Sequence, residues 1–223
     1  MQPQADPFIV PVCDEEIEVL YQDESFLLIN KPSGLLTLSG KHPLNKDSVH
    51  FRLVKDFPAA TMIHRLDFGT SGLLVVALNK DVNAHLCKQF QLRNVVKTYT
   101  ALLHGHLAED EGCIDFPIAK DRPNFPLQKI CHETGKSAIS PFQVIERLPQ
   151  PFATRVTFTP TSGRTHQLRI HSREIGHPIL GCDLYATDEA FFMATRLMLH
   201  ATRLEFDHPM TGERVKEFSP CPF

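Results

Sequence analysis

No stretch of the chain approaches twenty consecutive apolar residues, so nothing in it reads as a membrane-spanning helix. No C-x-x-C pair occurs among the six cysteines, Cys13, Cys87, Cys113, Cys131, Cys182 and Cys221. Their scatter fits neither a disulfide framework nor a zinc ribbon, and it suits reduced thiols in a cytoplasm. The opening Met1-Gln2-Pro3-Gln4-Ala5-Asp6-Pro7 lacks the basic and apolar regions of a secretory signal. An excess of basic charge is also missing. A net charge of −3 argues against indiscriminate coating of nucleic acid and leaves a local basic cleft as the route to such a partner. With no repeat, low-complexity tract or long linker, the expected organisation is an N-terminal arm over residues 1–15 and one domain over 16–223.

What is present is an ordinary globular composition, 42% hydrophobic and 22% charged over 223 residues, enough for a substantial core. The pattern centres on residues 62–78. There the polar cluster His64-Arg65 and Asp67 abuts the turn Gly69-Thr70-Ser71-Gly72, which runs into six apolar residues, 73–78. A short apolar run bounded by turn signals predicts a strand buried on both faces. A charged loop feeding such a strand sets Asp67 at the lip of a rigid sheet, a common way for a scaffold to present a reactive group.

Around this stretch, residues 17–21 and 26–30 predict a hairpin, closed abruptly by Lys31-Pro32-Ser33-Gly34. Asp47-Ser48 predicts the cap of a helix carrying Val49, Leu53 and Phe57 on one face. A second helix opens at Asn79 and uses Val82, Leu86, Phe90 and Leu92. Residues 95–103 form a β-rich run containing Tyr99, 105–136 a turn-rich meander, and 140–147 with 153–159 a strand pair. Residues 161–171 give a turn leading into a helix that turns Leu168, Ile170 and Ile175 inward and stops near Gly176. Residues 197–206 and 215–218 read as strands. The sum is an α+β fold, a mixed and mostly antiparallel central sheet flanked by helices and loops.

One carboxylate, several arginines and a strand tyrosine need a single chemical account. A carboxylate acts as nucleophile or base only when ionised and held in place. A nearby guanidinium favours the ionised form, and Arg164 and Arg169 are the candidates. Tyr99 offers an aromatic face for a base, and further arginines can hold phosphates. A metal-dependent phosphodiesterase using Asp67, His64, His166 and His171 is a competing reading. Against it, His166 and His171 are five apart, and a pair of ligands on one helix prefers three or four. A non-catalytic RNA-binding module is another, although binding alone needs no ionised carboxylate beside phosphate.

His64-Arg65-Leu66-Asp67-Phe68-Gly69-Thr70-Ser71-Gly72 resembles the H-R-L-D-x-x-T-S-G signature of the RluA-type pseudouridine synthases. Asn30-Lys31-Pro32-Ser33-Gly34-Leu35 is similar to their N-K-P-x-G motif, and Gly163-Arg164-Thr165-His166-Gln167-Leu168-Arg169 to their G-R-x-H-Q-L-R motif. Gly176-His177-Pro178-Ile179-Leu180-Gly181 and Leu199-His200-Ala201 complete the order, across roughly residues 16 to 219.

The resemblance implies the pseudouridine synthase fold and isomerisation of uridine in structured RNA, with no cofactor and no metal. It implies Asp67 as the catalytic aspartate, Tyr99 packed on the target base and Arg169 paired with Asp67. Arg65 would enter the RNA stack to help flip the uridine out. Arg164, Lys31, Gln167 and His64 are the further RNA-binding candidates, His64 having a local backbone partner as its more ordinary role. Whether the aspartate attacks the sugar, attacks the base or deprotonates C2′ stays open. No S4 RNA-binding domain is expected before the first strand, which would leave RNA selection to the catalytic domain. This compact form, with Cys131-His132-Glu133-Thr134-Gly135-Lys136, resembles members that modify both 23S rRNA and a tRNA anticodon stem-loop. A cytoplasmic monomer is expected. After Gly181 many relatives carry an acidic residue at once; here Cys182 intervenes before Asp183, and that loop is given no catalytic role.

Overall fold

The computed structural model describes residues 8–223. It consists of two compact units, one of Met1–Val95 (described from residue 8) with Leu204–Ser219, the other of Val96–Arg203 with Pro220–Phe223. The first seven residues of the expected arm lie outside the described residues. Residues 8–15 run without helix or strand and are tied down by side chains. The Asn45 amide accepts from Val10 N–H at 3.0 Å and donates to Phe8 O at 2.6 Å, and Arg52 Nη1 donates to Glu15 O at 2.6 Å.

In the first unit, β1 (Glu18–Gln22) and β2 (Phe26–Lys31) form the antiparallel hairpin that was expected. Asp23 shapes its turn, because Oδ1 accepts from both Ser25 N–H and Phe26 N–H, at 2.7 and 2.9 Å. Burial pushes the Asp23 carboxyl up, but these backbone donors and His208 outweigh it and hold its pKa below the ordinary value. α1 (Val49–Leu53) starts at Ser48, whose Oγ accepts from Phe51 N–H at 3.1 Å. It is shorter than the periodicity through Phe57 predicts. Pro58 biases Phe57 away from helical backbone, and the helix has already ended.

β3 (Thr61–Met62) and β4 (Ser71–Ala77) follow, and all seven residues of β4 are buried. The strand order is β1-β2-β4, with β3 also paired to β4, and these pairings are antiparallel. α2 (Lys80–Gln91) is capped by Asn79, which accepts from Val82 N–H at 2.9 Å. Val82 and Leu86 pack on Phe26, Leu28, Leu73, Val75 and Ala77. Full burial of each such side chain is worth about 1.5–3 kcal/mol. Leu92, assigned by its spacing to the apolar face, is instead 59% exposed, because it stands at the C-cap where that face has already ended.

The second unit contains β5 (Val96–His104), β6 (Glu111–Asp115), β7 (Ile118–Lys120), β8 (Gln128–Ile130), β9 (Ile139–Leu148) and β10 (Ala153–Phe158). Then come α3 (Gln167–Glu174), α4 (Asp188–Phe192) and β11 (Leu199–Asp207), whose last four residues belong to the first unit, as does β12 (Arg214–Phe218). Strands run in the order β5-β10-β9-β6, all antiparallel, and β7 and β8 make a separate two-stranded ribbon. One face of this sheet joins Leu168 and Ile170 of α3 in a core with Ala101, Leu103, Val156 and Phe158. α4 was not expected; its five residues are too few to carry a periodic signal, and it is held by the Thr187 cap. No helix among the described residues is long and apolar enough to cross a membrane.

Candidate active site

Asp67 lies half-buried in the first unit, on the loop entering β4. The turn after β2 grips that loop on both sides of it. Before Asp67, Thr37 Oγ1 accepts from Leu66 N–H at 3.2 Å and donates to Leu66 O at 2.8 Å. After it, Gly34 N–H donates to Phe68 O at 3.0 Å and Ser33 Oγ donates to Gly69 O at 2.7 Å. Thr70 N–H closes the turn on Asp67 O at 3.1 Å. Gly34 sits at a φ of 76°, in the left-handed region that suits glycine.

Lys31 is the keystone of this grip. Its residue is 0% exposed, and Nζ donates to Pro32 O and Leu35 O at 2.7 Å each and to Phe68 O at 3.2 Å. A buried ammonium is tolerated only with its donors satisfied, and backbone carbonyls do that here. The expectation that Lys31 contacts RNA is therefore corrected, because its charge is spent on the fold and holds the N-K-P-x-G turn to the Asp67 loop.

His64 has the local role. Its Nε2 accepts from Val75 N–H at 3.2 Å and its ring stacks on Phe90, centroids 4.7 Å apart. Arg65, beside it, is exposed.

The second unit assembles the other candidates. Tyr99 is half-buried in β5, opposite Phe158 of β10. Two residues earlier, and so on the same face of the strand, Lys97 donates to Ser162 O at 3.4 Å in the turn that carries Arg164. Arg164 is half-buried with Nε donating to Ser137 O at 3.1 Å.

Gln167 is 5% exposed, and its amide is used inside the protein. Oε1 accepts from Ser162 Oγ at 2.9 Å and from Arg164 N–H at 3.0 Å, while Nε2 donates to Ile139 O at 3.1 Å and Ser140 Oγ at 2.9 Å. An RNA contact was expected of Gln167; its four bonds instead fix the 162–164 turn, and through it Arg164. The network continues to His171, which is 0% exposed. Nε2–H donates to Phe116 O and Nδ1 accepts from Ser140 Oγ, both at 3.0 Å. Burial lowers the His171 pKa below its ordinary 6.5.

Arg169 is 4% exposed and gripped by a loop assigned no role from its sequence. Nε donates to Cys182 Sγ at 3.3 Å, Nη2 pairs with Asp183, and the guanidinium lies 5.4 Å from the Tyr185 ring centroid. Lys97, Asp183 and Tyr185 were missed. The available signal was the acidic residue displaced by one position after Gly181, which still arrives at an arginine. In the metal reading, His171 has both ring nitrogens bonded to protein. His64 Nε2 also bonds to protein, as does His166 Nδ1, 2.8 Å from Tyr185 OH. No group of three or more His, Cys, Asp or Glu among the described residues is arranged to hold a metal ion.

With carboxylate loop, basic turn and strand tyrosine in place, comparison with known proteins defines the class. The family model described as RNA pseudouridylate synthase matches residues 25–174, more than half of the chain, and the chain belongs to that family. It is an isomerase acting on RNA. Among its relatives, the dual-specificity RNA pseudouridine synthase RluA of Yersinia pestis is 53% identical over 194 residues, covering 87% of this chain and 94% of that one. RluA of Escherichia coli strain K12 is 45% identical over 205 residues, 92% and 93% of the two chains. The solved structure of human RNA pseudouridylate synthase domain containing 1 shares the fold at a TM-score of 0.81 and 32% identity, over 96% of this chain and 86% of that one.

Two outcomes follow from this geometry. Lys31→Met takes the donor from Pro32 O and Leu35 O, while Phe68 O keeps Gly34 N–H. Each unsatisfied group costs about 1–3 kcal/mol, so denaturant unfolding should show a loss of about 2 kcal/mol or more. An unchanged midpoint would mean that Lys31 does not brace the loop. For His171, a depressed folded pKa means that the unfolded chain takes up the proton first. Stability is then full above pH 6.5 and falls as pH drops below it. The wild-type Tm should decline more steeply than that of His171→Asn between pH 6.5 and about pH 5, and parallel curves would contradict the assignment.

Proposed function

We propose that this enzyme converts uridine to pseudouridine in two RNA classes, 23S rRNA and a tRNA anticodon stem-loop, as a cytoplasmic monomer. The observation that carries this reading is identity of 43% to 53% with relatives named dual-specificity RNA pseudouridine synthase, matched over most of both chains. The motif order from Asn30 to Ala201 supports it on the side of the residues.

In this reading Asp67 is the group that acts on the nucleotide. The N-glycosidic bond breaks, the uracil turns while enclosed, C5 bonds to C1′, and the C5 proton is lost to N1 by way of solvent. Atoms balance with no redox partner and no phosphoryl donor. Arg169 is assigned the guanidinium that pairs with the Asp67 carboxylate and orients it. Tyr99 is the platform for the base. A stacked uridine is out of reach until flipped, at a cost of a few kcal/mol, and exposed Arg65 on the Asp67 loop is assigned the vacated place in the stack. Arg164 and Lys97 hold backbone phosphates, which position the RNA without reading its sequence.

Carbodiimide and reverse-transcription mapping of 23S rRNA and total tRNA, from cells with and without the gene, tests the substrate assignment. Loss of one mark in each RNA is the expected result. Loss in one RNA alone would overturn dual specificity.

A further inference from the structure

Tyr185 plays no part in the reaction outlined above, yet it is 4% exposed and is the point where four other groups meet. The guanidinium carbons of Arg169 and Arg173 each lie 5.4 Å from its ring centroid, a distance at which an aromatic face attracts a cation. Its hydroxyl accepts from Gln128 N–H of β8 at 2.8 Å. That leaves the hydroxyl proton for His166 Nδ1, also 2.8 Å away.

His166 is the residue before α3, and it sits in the left-handed region at φ 56° and ψ 19°. A non-glycine residue stays there only where its surroundings over-determine it, and the Tyr185 hydroxyl is one such restraint. The same side chain therefore fixes where α3 begins and which way Arg169, three residues on, presents its fork. Cys182 Sγ and Asp183 complete the grip at Nε and Nη2. Three residues of one short loop thus hold a single buried guanidinium by its face and two of its nitrogens.

We propose that the 182–185 loop is a positioning device for Arg169, with Tyr185 as its central residue. It sets the rate of the chemical step without touching RNA, and it rests on the assignment of Arg169 as the cation that serves Asp67. The ring contributes by holding the guanidinium plane, the hydroxyl by pinning His166 and β8, and Asp183 by fixing one nitrogen. A rotation of the fork would leave RNA binding intact while weakening the transition state.

Steady-state kinetics on a tRNA stem-loop transcript test this, with Tyr185→Leu, Tyr185→Phe and Asp183→Asn beside Arg169→Met. Tyr185→Leu should lower kcat by about 100-fold, the scale expected for a misplaced active group, with KM within about 2-fold of wild type. Tyr185→Phe keeps the ring and should recover most of that loss, leaving a deficit of about 3-fold to 10-fold. Asp183, with its side chain 57% exposed, can be changed without disturbing a core, so Asp183→Asn reports even if Tyr185→Leu fails to fold. It should lower kcat about 10-fold. Unchanged kcat in Asp183→Asn and Tyr185→Phe, or a rise in KM with kcat preserved, would overturn the positioning role. Full activity of Arg169→Met would instead overturn the assignment of Arg169 itself, a separate failure.

Discussion

The buried ammonium of Lys31, spread over the carbonyls of Pro32, Leu35 and Phe68, is the constraint on which the aspartate loop depends. A loop as polar as residues 64–70 would ordinarily be mobile, because its backbone groups have water as an alternative partner. Here Thr37, Gly34, Ser33 and Lys31 take those groups, and the loop runs directly into β4, buried along its whole length. The carboxylate of Asp67 is thereby carried on a backbone with little freedom. That is how a positioned group acts without first paying to be ordered.

The second unit solves the same problem with side-chain amides and rings in place of an ammonium. Gln167, Ser140 and His171 form a chain of hydrogen bonds that ends on Phe116 O and fixes the turn bearing Arg164. In a weakly polar interior such a network is specific because a half-satisfied version is costly, and every member here has its partners. Among the described residues no buried side-chain nitrogen or oxygen lacks a hydrogen-bond partner. The motifs first read as RNA contacts thus divide in two. Arg65 and Arg164 keep atoms at the surface, while Lys31 and Gln167 do their work by holding the loops that present functional groups.

Much of this was legible from the chain alone. The β1–β2 hairpin, β4, the Asn79 cap and the β9–β10 pair were read correctly because each carries a local signal, whether alternation, a capping side chain or proline between strands. α1 was read too long because the four-residue spacing runs on to Phe57, which Pro58 biases away from helical backbone, while the helix ends at Leu53. The burial of Lys31 and Gln167 was not legible, since a lysine beside a proline turn and a glutamine beside arginines look solvent-facing until the partner carbonyls are known. The grip of Cys182, Asp183 and Tyr185 on Arg169 was likewise hidden. It joins residues more than ten positions apart through side-chain angles that no periodicity records.

The central claim is that Asp67 carries out the isomerisation from a braced loop. Tritium release from an RNA transcript labelled at uridine C5 measures that step directly, because forming the C5–C1′ bond expels the label. Purified Asp67→Asn, nearly identical in size and still able to accept hydrogen bonds, should release no tritium over many wild-type turnovers while binding the transcript with Kd close to that of wild type. Continued release at a rate near that of wild type would show that another group does the chemistry.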